Sequence, residues 1–534
     1  MRHKCSIISL SALLVIWLSG VSPRAAAQDV VRLEIEASDL ALPFYTLPVG
    51  RQGVVLFRGV EIRNRRVVIW EMLHYDVAFR LKHRERFHLG RNEHFAGWKS
   101  DGNHIAMVFF QDQLAQSGNI IVYDIAEKQF DNRGFELGDL HLVNPVFRLA
   151  DGHFYLCGLH TPGVFNRLFR RAGSAASQLV SISGSLEEEG KVHINQWNMD
   201  GLRRILHAQP DLHGKGLLLA LESDVGRHLR GITTVALQGE NLRVLQEGEI
   251  FSKPEAYITS LCFLSTDSIS LAMAGSYGTI TRREWRNNNP VTAKGLFFAS
   301  LDDTDQEEKF RLYPFHTFRH LMRATTRRLA QTRQSSSRQR GEQTQPSFNI
   351  LLHDAPYQQN DLVIIAGETY FPEYEYDQRV QHFYMPYAYY GYHPGFYDRG
   401  GRWVFKGFRY EYAIIAAFDP TGNLVWENSF EASDILDRQL MKRINLLPYD
   451  DEVVMVYAHE GRVWYRVIRA EEVLVDRDSM PIELPDPGDR AREHHAMNMA
   501  PWYDNFFVVW GRQMIRNTDG HSRTVFYCNK IAFE

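Results

Sequence analysis

Four kinds of stretch in this sequence gather residue types that could do chemistry. In Glu493-His494-His495-Ala496-Met497-Asn498-Met499, a β-strand would place His495, Met497 and Met499 on one face. An imidazole with two thioethers is a ligand set that suits copper. Strand alternation alone gives the same spacing, so a packed strand is the preferred reading, and no metal or other cofactor is expected. His353-Asp354 and His459-Glu460 are adjacent acid–base residues. Neighbours along a strand point to opposite faces, which makes both poor candidates for a proton-transferring pair.

The third stretch is aromatic. Residues 370–412 hold Tyr370, Tyr374, Tyr376, Tyr384, Tyr387, Tyr389, Tyr390, Tyr392, Tyr397, Tyr410 and Tyr412 out of 24 tyrosines in the chain. Pro372, Pro386 and Pro394, with Gly391, Gly395, Gly400 and Gly401, exclude a long helix. Tyrosine supplies contact area and a hydroxyl at low entropic cost. An insertion of this kind suits recognition of an envelope protein or a glycan, with Tyr374, Tyr376, Tyr384, Tyr387, Tyr389, Tyr390, Tyr392 and Tyr397 as the contact residues. The competing reading is an ordered cap whose rings pack on the strands beneath.

The fourth is basic. Arg319, Arg323, Arg327, Arg328, Arg333, Arg338 and Arg340 occur between 319 and 340 without one acid. Phe315, Phe318, Met322 and Leu329 fall at roughly helical spacing, and Gln/Ser-rich sequence follows as far as Pro346. The pattern predicts an insertion over 315–346: a short amphipathic basic helix, then a linker. Arg323, Arg327 and Arg328 would dock it on an anionic surface such as lipid or an acidic partner. A solvated loop between repeats is the preferred alternative.

Composition sets the frame around these stretches. The 534 residues are 44% hydrophobic and 23% charged, the balance of a folded globular protein. Lys+Arg 60 against Asp+Glu 64 leaves a formal charge of −4, so no basic field points to nucleic acid. Residues 1–27 read as a secretory signal: Arg2 and Lys4, an apolar run over 7–18, then Ala25-Ala26-Ala27 before Gln28. The expectation is an exported protein, periplasmic or on the cell surface, with no transmembrane segment after signal removal. Cys157, Cys262 and Cys528 are too few for a disulfide framework, so a large apolar core must supply stability. Cys157 and Cys262 sit in apolar strand-like runs and read as buried hydrophobes.

Short apolar runs broken by turn residues recur along the chain. Seven copies share one form, a strand, a tight polar turn and a strongly apolar strand: 98–110, 146–158, 205–221, 261–275, 350–367, 446–458 and 501–511. Between them lie more polar hairpins, at 120–130, 194–206, 233–245, 296–312, 413–426 and 463–475. Alternating inner and outer hairpins predict an all-β, seven-bladed β-propeller as a single domain over 28–534, with the two insertions in its loops. Two β-sandwich domains are the alternative. Closure of the ring predicts that residues 525–533 pair with a strand within 54–70, which removes an open sheet edge.

The hairpin Phe418-Asp419-Pro420-Thr421-Gly422-Asn423-Leu424-Val425-Trp426 resembles blade hairpins of PQQ-like repeats. Together with Gly367-Glu368-Thr369-Tyr370-Phe371-Pro372-Glu373-Tyr374 and Val525-Phe526-Tyr527-Cys528-Asn529-Lys530-Ile531, it is similar to exported β-propeller proteins of Bacteroidota. The resemblance covers mainly 350–534, implies fold and export, and assigns no catalytic residue. Sialidase repeats, a Gly-x-Ser-x-Gly elbow, a Walker sequence and His-Glu-x-x-His do not occur. The expectation is a non-catalytic binding or assembly scaffold. The alternative is a carbohydrate-active or other small-molecule hydrolase or lyase, with paired carboxylates at the propeller axis.

Overall fold

The computed structural model describes residues 31–36, 44–61, 67–90, 93–111, 115–160, 177–211, 216–226, 229–239, 241–265, 271–280, 291–300, 310–332, 346–376, 403–432 and 435–533. The expected signal segment 1–27 lies outside them. The strands form eight antiparallel sheets, seven of them meanders in chain order, one of these extended to six strands, and the eighth completed by an N-terminal strand. Blade 1 spans 45–90, blade 2 94–136, blade 3 143–199 and blade 4 202–252. Blade 5 spans 257–314, blade 6 349–437, blade 7 445–481, and blade 8 490–532 together with Arg32–Glu36.

Turn chemistry explains the meander. Between the first two strands of blade 3, Asp151 and Gly152 take φ of 50° and 67°, the paired positive values of a tight hairpin that Asp-Gly tolerates well. The second strands are almost wholly apolar and buried, as in His104–Phe110 and His153–His160. Such a sheet has two apolar faces and cannot be stable alone. Each of the eight junctions between successive blades is accordingly filled by its own cluster of buried side chains. Examples are Phe57, Trp70, Met107 and Phe109 between blades 1 and 2, and Val54, Leu56, Trp502, Val508 and Phe526 between blades 8 and 1. The remaining junctions have equivalent clusters. Burying one such large side chain contributes about 1.5–3 kcal/mol. First strands touch one another between blades 2 and 3, 3 and 4, 4 and 5, 6 and 7, and 7 and 8, and from blade 8 back to blade 1 as well. The fold is a closed β-propeller, not two sandwiches.

It has eight blades, not seven. The seven apolar hairpins read from sequence are the inner hairpins of blades 2 to 8. The eighth is Tyr45–Pro48 with Val54–Glu61, joined through a 3-10 turn at Gly50–Gln52. Its first strand is four residues long, too short to show alternation. Closure is corrected with it. Residues within 54–70 belong to blade 1, and the strand Ser522–Ala532 pairs instead with Arg32–Glu36, in the register Arg32↔Asn529 to Glu36↔Val525. The Arg32 guanidinium is buried there. It donates to Glu34 (2.8 Å), Asn529 (2.8 Å) and Gln513 (2.7 Å) and lies over the Tyr527 ring. The expected hairpin at 194–206 is also corrected: His193–Met199 ends blade 3 and Leu202–Pro210 opens blade 4.

Cys157, Cys262 and Cys528 are buried and unpaired. Burial pushes the thiols of Cys157 and Cys262 up to about 12 and that of Cys528 up as well, so none is a ready nucleophile. Among the described residues, no helix is long and apolar enough to cross a membrane.

Candidate functional site at the axis and the blade 6 face

Blade 6 departs from the common pattern in its innermost strand. Asn349–Leu352 and Tyr357–Gln359 both pair with the second strand, Leu362–Tyr376, but residues 353–356 between them leave the ladder. Pro356 has no amide hydrogen to offer it. His353 keeps one bond, its amide donating to the Ala366 carbonyl at 2.9 Å. The two neighbours enter different networks, although they are not on a strand whose alternation would separate them.

Asp354 reaches the axis. Its Oδ2 forms an ion pair with Arg148 Nη2 of blade 3 at 3.2 Å and accepts a hydrogen bond from Lys99 Nζ of blade 2 at 3.5 Å. Arg148 is held in place by donating through Nε to the Ala208 carbonyl (2.8 Å) and through Nη1 to the Phe147 carbonyl (3.0 Å). His207 of blade 4 stands beside them, with Nε2 3.2 Å from Gln209 Oε1. Burial, reinforced by the Arg148 charge, pushes His207 down to about 4, so it is neutral at pH 7. Burial disfavours ionised Asp354, but Arg148 and Lys99 outweigh it and hold the carboxyl below its ordinary value. Burial and the Arg148 charge lower Lys99. Side chains from four blades thus converge, yet 62% of Asp354 and 38% of Lys99 remain accessible. That combination describes groups facing a channel rather than a sealed core.

His353 turns the other way. Its Nε2 lies 3.1 Å from Oε1 of the fully buried Glu368, and its Nδ1 3.3 Å from the Tyr357 hydroxyl. Lys442 Nζ donates to that hydroxyl at 2.8 Å. With the ammonium donating to the phenol oxygen, the phenol proton is directed to Nδ1 and the Nε2 proton to Glu368. Glu368 also accepts the amides of Arg443 and Ile444, each at 2.9 Å. Arg443 continues the network to Asp437 and, at 2.7 Å, to the Met497 carbonyl of blade 8. Burial lowers His353, the Glu368 bond opposing it. The chain Lys442–Tyr357–His353–Glu368 fastens three elements and orients every proton in it.

The second and third strands of blade 6, Leu362–Tyr376 and Trp403–Phe418, are far longer than their counterparts and pair out to Tyr376↔Trp403. One face carries edge-to-face contacts in sequence: Tyr370–Phe408, Phe408–Phe405 and Phe405–Tyr374, with centroids 5.6, 5.1 and 5.5 Å apart. The pairs Glu373–Arg409 and Glu375–Lys406 also cross this hairpin. Tyr374 is 38% exposed. Tyr410 and Tyr412 are core residues, their hydroxyls donating to the Met441 and Ala324 carbonyls. These two belong to a strand of the blade itself and not to a recognition surface. Tyr376 lies on the strand, its side chain outside the described residues, as are Tyr384, Tyr387, Tyr389, Tyr390, Tyr392 and Tyr397.

The basic stretch forms the helix Arg319–Thr332, wedged between blades 5 and 6 by Phe315, Phe318 and Leu321. Its first turn is capped from blade 6, the Glu427 carboxylate accepting the His320 amide at 2.8 Å. Arg323 is exposed; Arg327 and Arg328 are on the helix with their side chains outside the described residues. In a four-stranded meander, the turn between strands two and three and the link to the next blade fall on the same face, because strand direction alternates. Both insertions therefore meet the propeller on one face, beside blade 6.

The expected shared face of His495, Met497 and Met499 is corrected. A bulge between His495 and Asn498, with Ala496 at φ 50°, breaks the alternation. His495 stays 63% exposed and pairs with Glu493, while Met497 and Met499 enter the core between blades 7 and 8. His459 and Glu460 are 3.9 Å apart at a turn, Glu460 taking φ 47°. Lys99, Arg148, His207, Tyr357, Glu368 and Lys442 were not singled out from sequence. The usable signal was a lone polar residue inside a strand otherwise expected to be apolar, as in Phe147-Arg148-Leu149.

No known family matches the chain, and no curated protein matches it. Among solved structures it is similar to the β-propeller domain of the Trilobed protease from Pyrococcus furiosus, at 8% identity and a TM-score of 0.33, covering 84% of this chain and 97% of that one. It is also similar to prolyl oligopeptidase B from Galerina marginata, at 9% identity and 0.36, covering 90% of this chain. A eukaryotic initiation factor matches at 9% and 0.35, covering 92% and 91%. The chain spans about half the length of the prolyl endopeptidase, prolyl oligopeptidase B and oligopeptidase B chains it matches. At these scores the fold rests on the strand order above, and no activity is transferred.

Proposed function

We propose that this chain is an exported envelope propeller that captures a protein or glycan on the face flanked by blade 6 and performs no chemistry of its own. The observation that carries the reading is the long hairpin of blade 6, whose aromatic ladder ends at the exposed Tyr374. Aromatic area at low entropic cost is what recognition surfaces use. The basic helix at 319–332 enters on the same face and adds Arg323. Export is supported by the leader pattern of residues 1–27 and by the resemblance to exported propellers. The hydrolase reading called for paired carboxylates, whereas the charge partners of Asp354 are two cations.

The test replaces residues 377–402 by a short Gly-Ser turn between Tyr376 and Trp403. Capture from envelope extract and binding to a glycan array should both be compared with the intact chain. Loss of the specific partner or glycan with an unchanged thermal transition is the expected result. Undiminished capture by the shortened chain refutes the assignment.

A further inference from the structure

We propose that the propeller axis is a binding site for a small oxyanion, a carboxylate or phosphate, between Lys99 of blade 2 and Arg148 of blade 3, beside Asp354. This site is separate from the capture face of blade 6. Two cations there share one oxygen of one carboxylate, and His207 alongside is neutral, so a positive charge is left over. Lys99 has three N–H donors. Its hydrogen bond to Asp354 is long, at 3.5 Å. Arg148 is different: two of its nitrogens are committed to backbone carbonyls, which aim Nη2 at the axis. A preset guanidinium beside an ammonium held by one long bond is the donor set that carboxylates and phosphates accept from.

Asp354 shows that a carboxylate fits these donors, and it has the character of a tethered competitor. It sits on residues 353–356, which are outside the sheet ladder, and its side chain is largely accessible. Such a segment can give way at small cost, because few backbone bonds restrain it. An anion entering the channel would take donors that Asp354 now uses.

The full chain is titrated calorimetrically with inorganic phosphate and, separately, with succinate, at pH 7 and constant ionic strength set with chloride. Binding of either should appear at millimolar concentration or below. Lys99→Met, which keeps the apolar stem, should weaken it about tenfold, the scale of one charge-assisted bond. Asp354→Asn should strengthen it severalfold by removing the competitor. Response to succinate alone assigns a carboxylate ligand, and response to phosphate alone a phosphate. If neither the intact chain nor Asp354→Asn binds either anion, or if Lys99→Met binds as well as the intact chain, the proposal is overturned. The Asp354→Asn arm needs no lysine variant to fold.

Discussion

Blades 2 and 6 are built on the same meander and use it differently. Blade 2 is closed by local devices. Asp101 accepts the amide of Asn103 at 2.8 Å across its first turn, and Asp124 those of Ala126 and Glu127, each at 2.8 Å, across its last. Its second strand is a run of buried apolar residues. Blade 6 breaks its inner strand, lengthens its central pair, receives a helix on its flank and buries a carboxylate with a histidine. Blade 2 owes its stability to packing against its neighbours. Blade 6 adds non-local polar bonds, and both candidate sites depend on them. Departure from the repeat thus marks where recognition could be housed, since a regular wedge has only turns to vary.

The comparison can be broken first at Glu368. Glu368→Ala leaves His353 and two buried amides without their acceptor, and should cost about 3–5 kcal/mol in denaturant unfolding. The exposed Glu136 of blade 2, changed to Ala, should stay within about 0.5 kcal/mol. Similar values for the two would mean that the blade 6 network carries no special stability.

Acid should separate the axis from the rest next. His207 is held down to about 4 against an ordinary 6.5. Between those values the unfolded chain binds a proton that the folded chain does not. Stability therefore rises with pH across this window and is lost as pH falls from 6.5 towards 4, by up to about 3 kcal/mol. His207→Gln should flatten that part of the profile in unfolding midpoints measured across the range. An unchanged slope would remove His207 from the account.

Smaller effects test the flanks. Glu427→Ala uncaps the helix Arg319–Thr332 and should lower stability by about 1–2 kcal/mol, with faster amide exchange in its first turn. Asp124→Ala in blade 2 loses two turn bonds and should cost about 1 kcal/mol. A larger loss from Asp124 than from Glu427 would reverse the ranking of local and non-local devices.

Much of the fold was legible because tight turns need residues that accept positive φ, and Asp151-Gly152 or Asp419-Pro420-Thr421-Gly422 declare them locally. Blade 1 escaped because Tyr45–Pro48 is brief and its turn is a 3-10 piece. The following strands were then free to be read as the closing partner, a role that Arg32-Leu33-Glu34-Ile35-Glu36, alternating charge with apolar residues, did not announce. The aromatic and basic stretches were visible as composition. That Tyr410 and Tyr412 are core while Tyr374 faces solvent was not, since one residue type serves both uses.

By itself, the order of residues determined the all-β character, the hairpin rhythm and the two insertions, because backbone dihedral preference and two-residue alternation act over a few positions. Tertiary structure alone decided the number of blades, the strand that closes the ring and the meeting of Lys99, Arg148, His207 and Asp354. Those depend on contacts between residues up to about five hundred positions apart, as Arg32 and Asn529 are, and no local preference encodes which distant strands will share an axis or an edge.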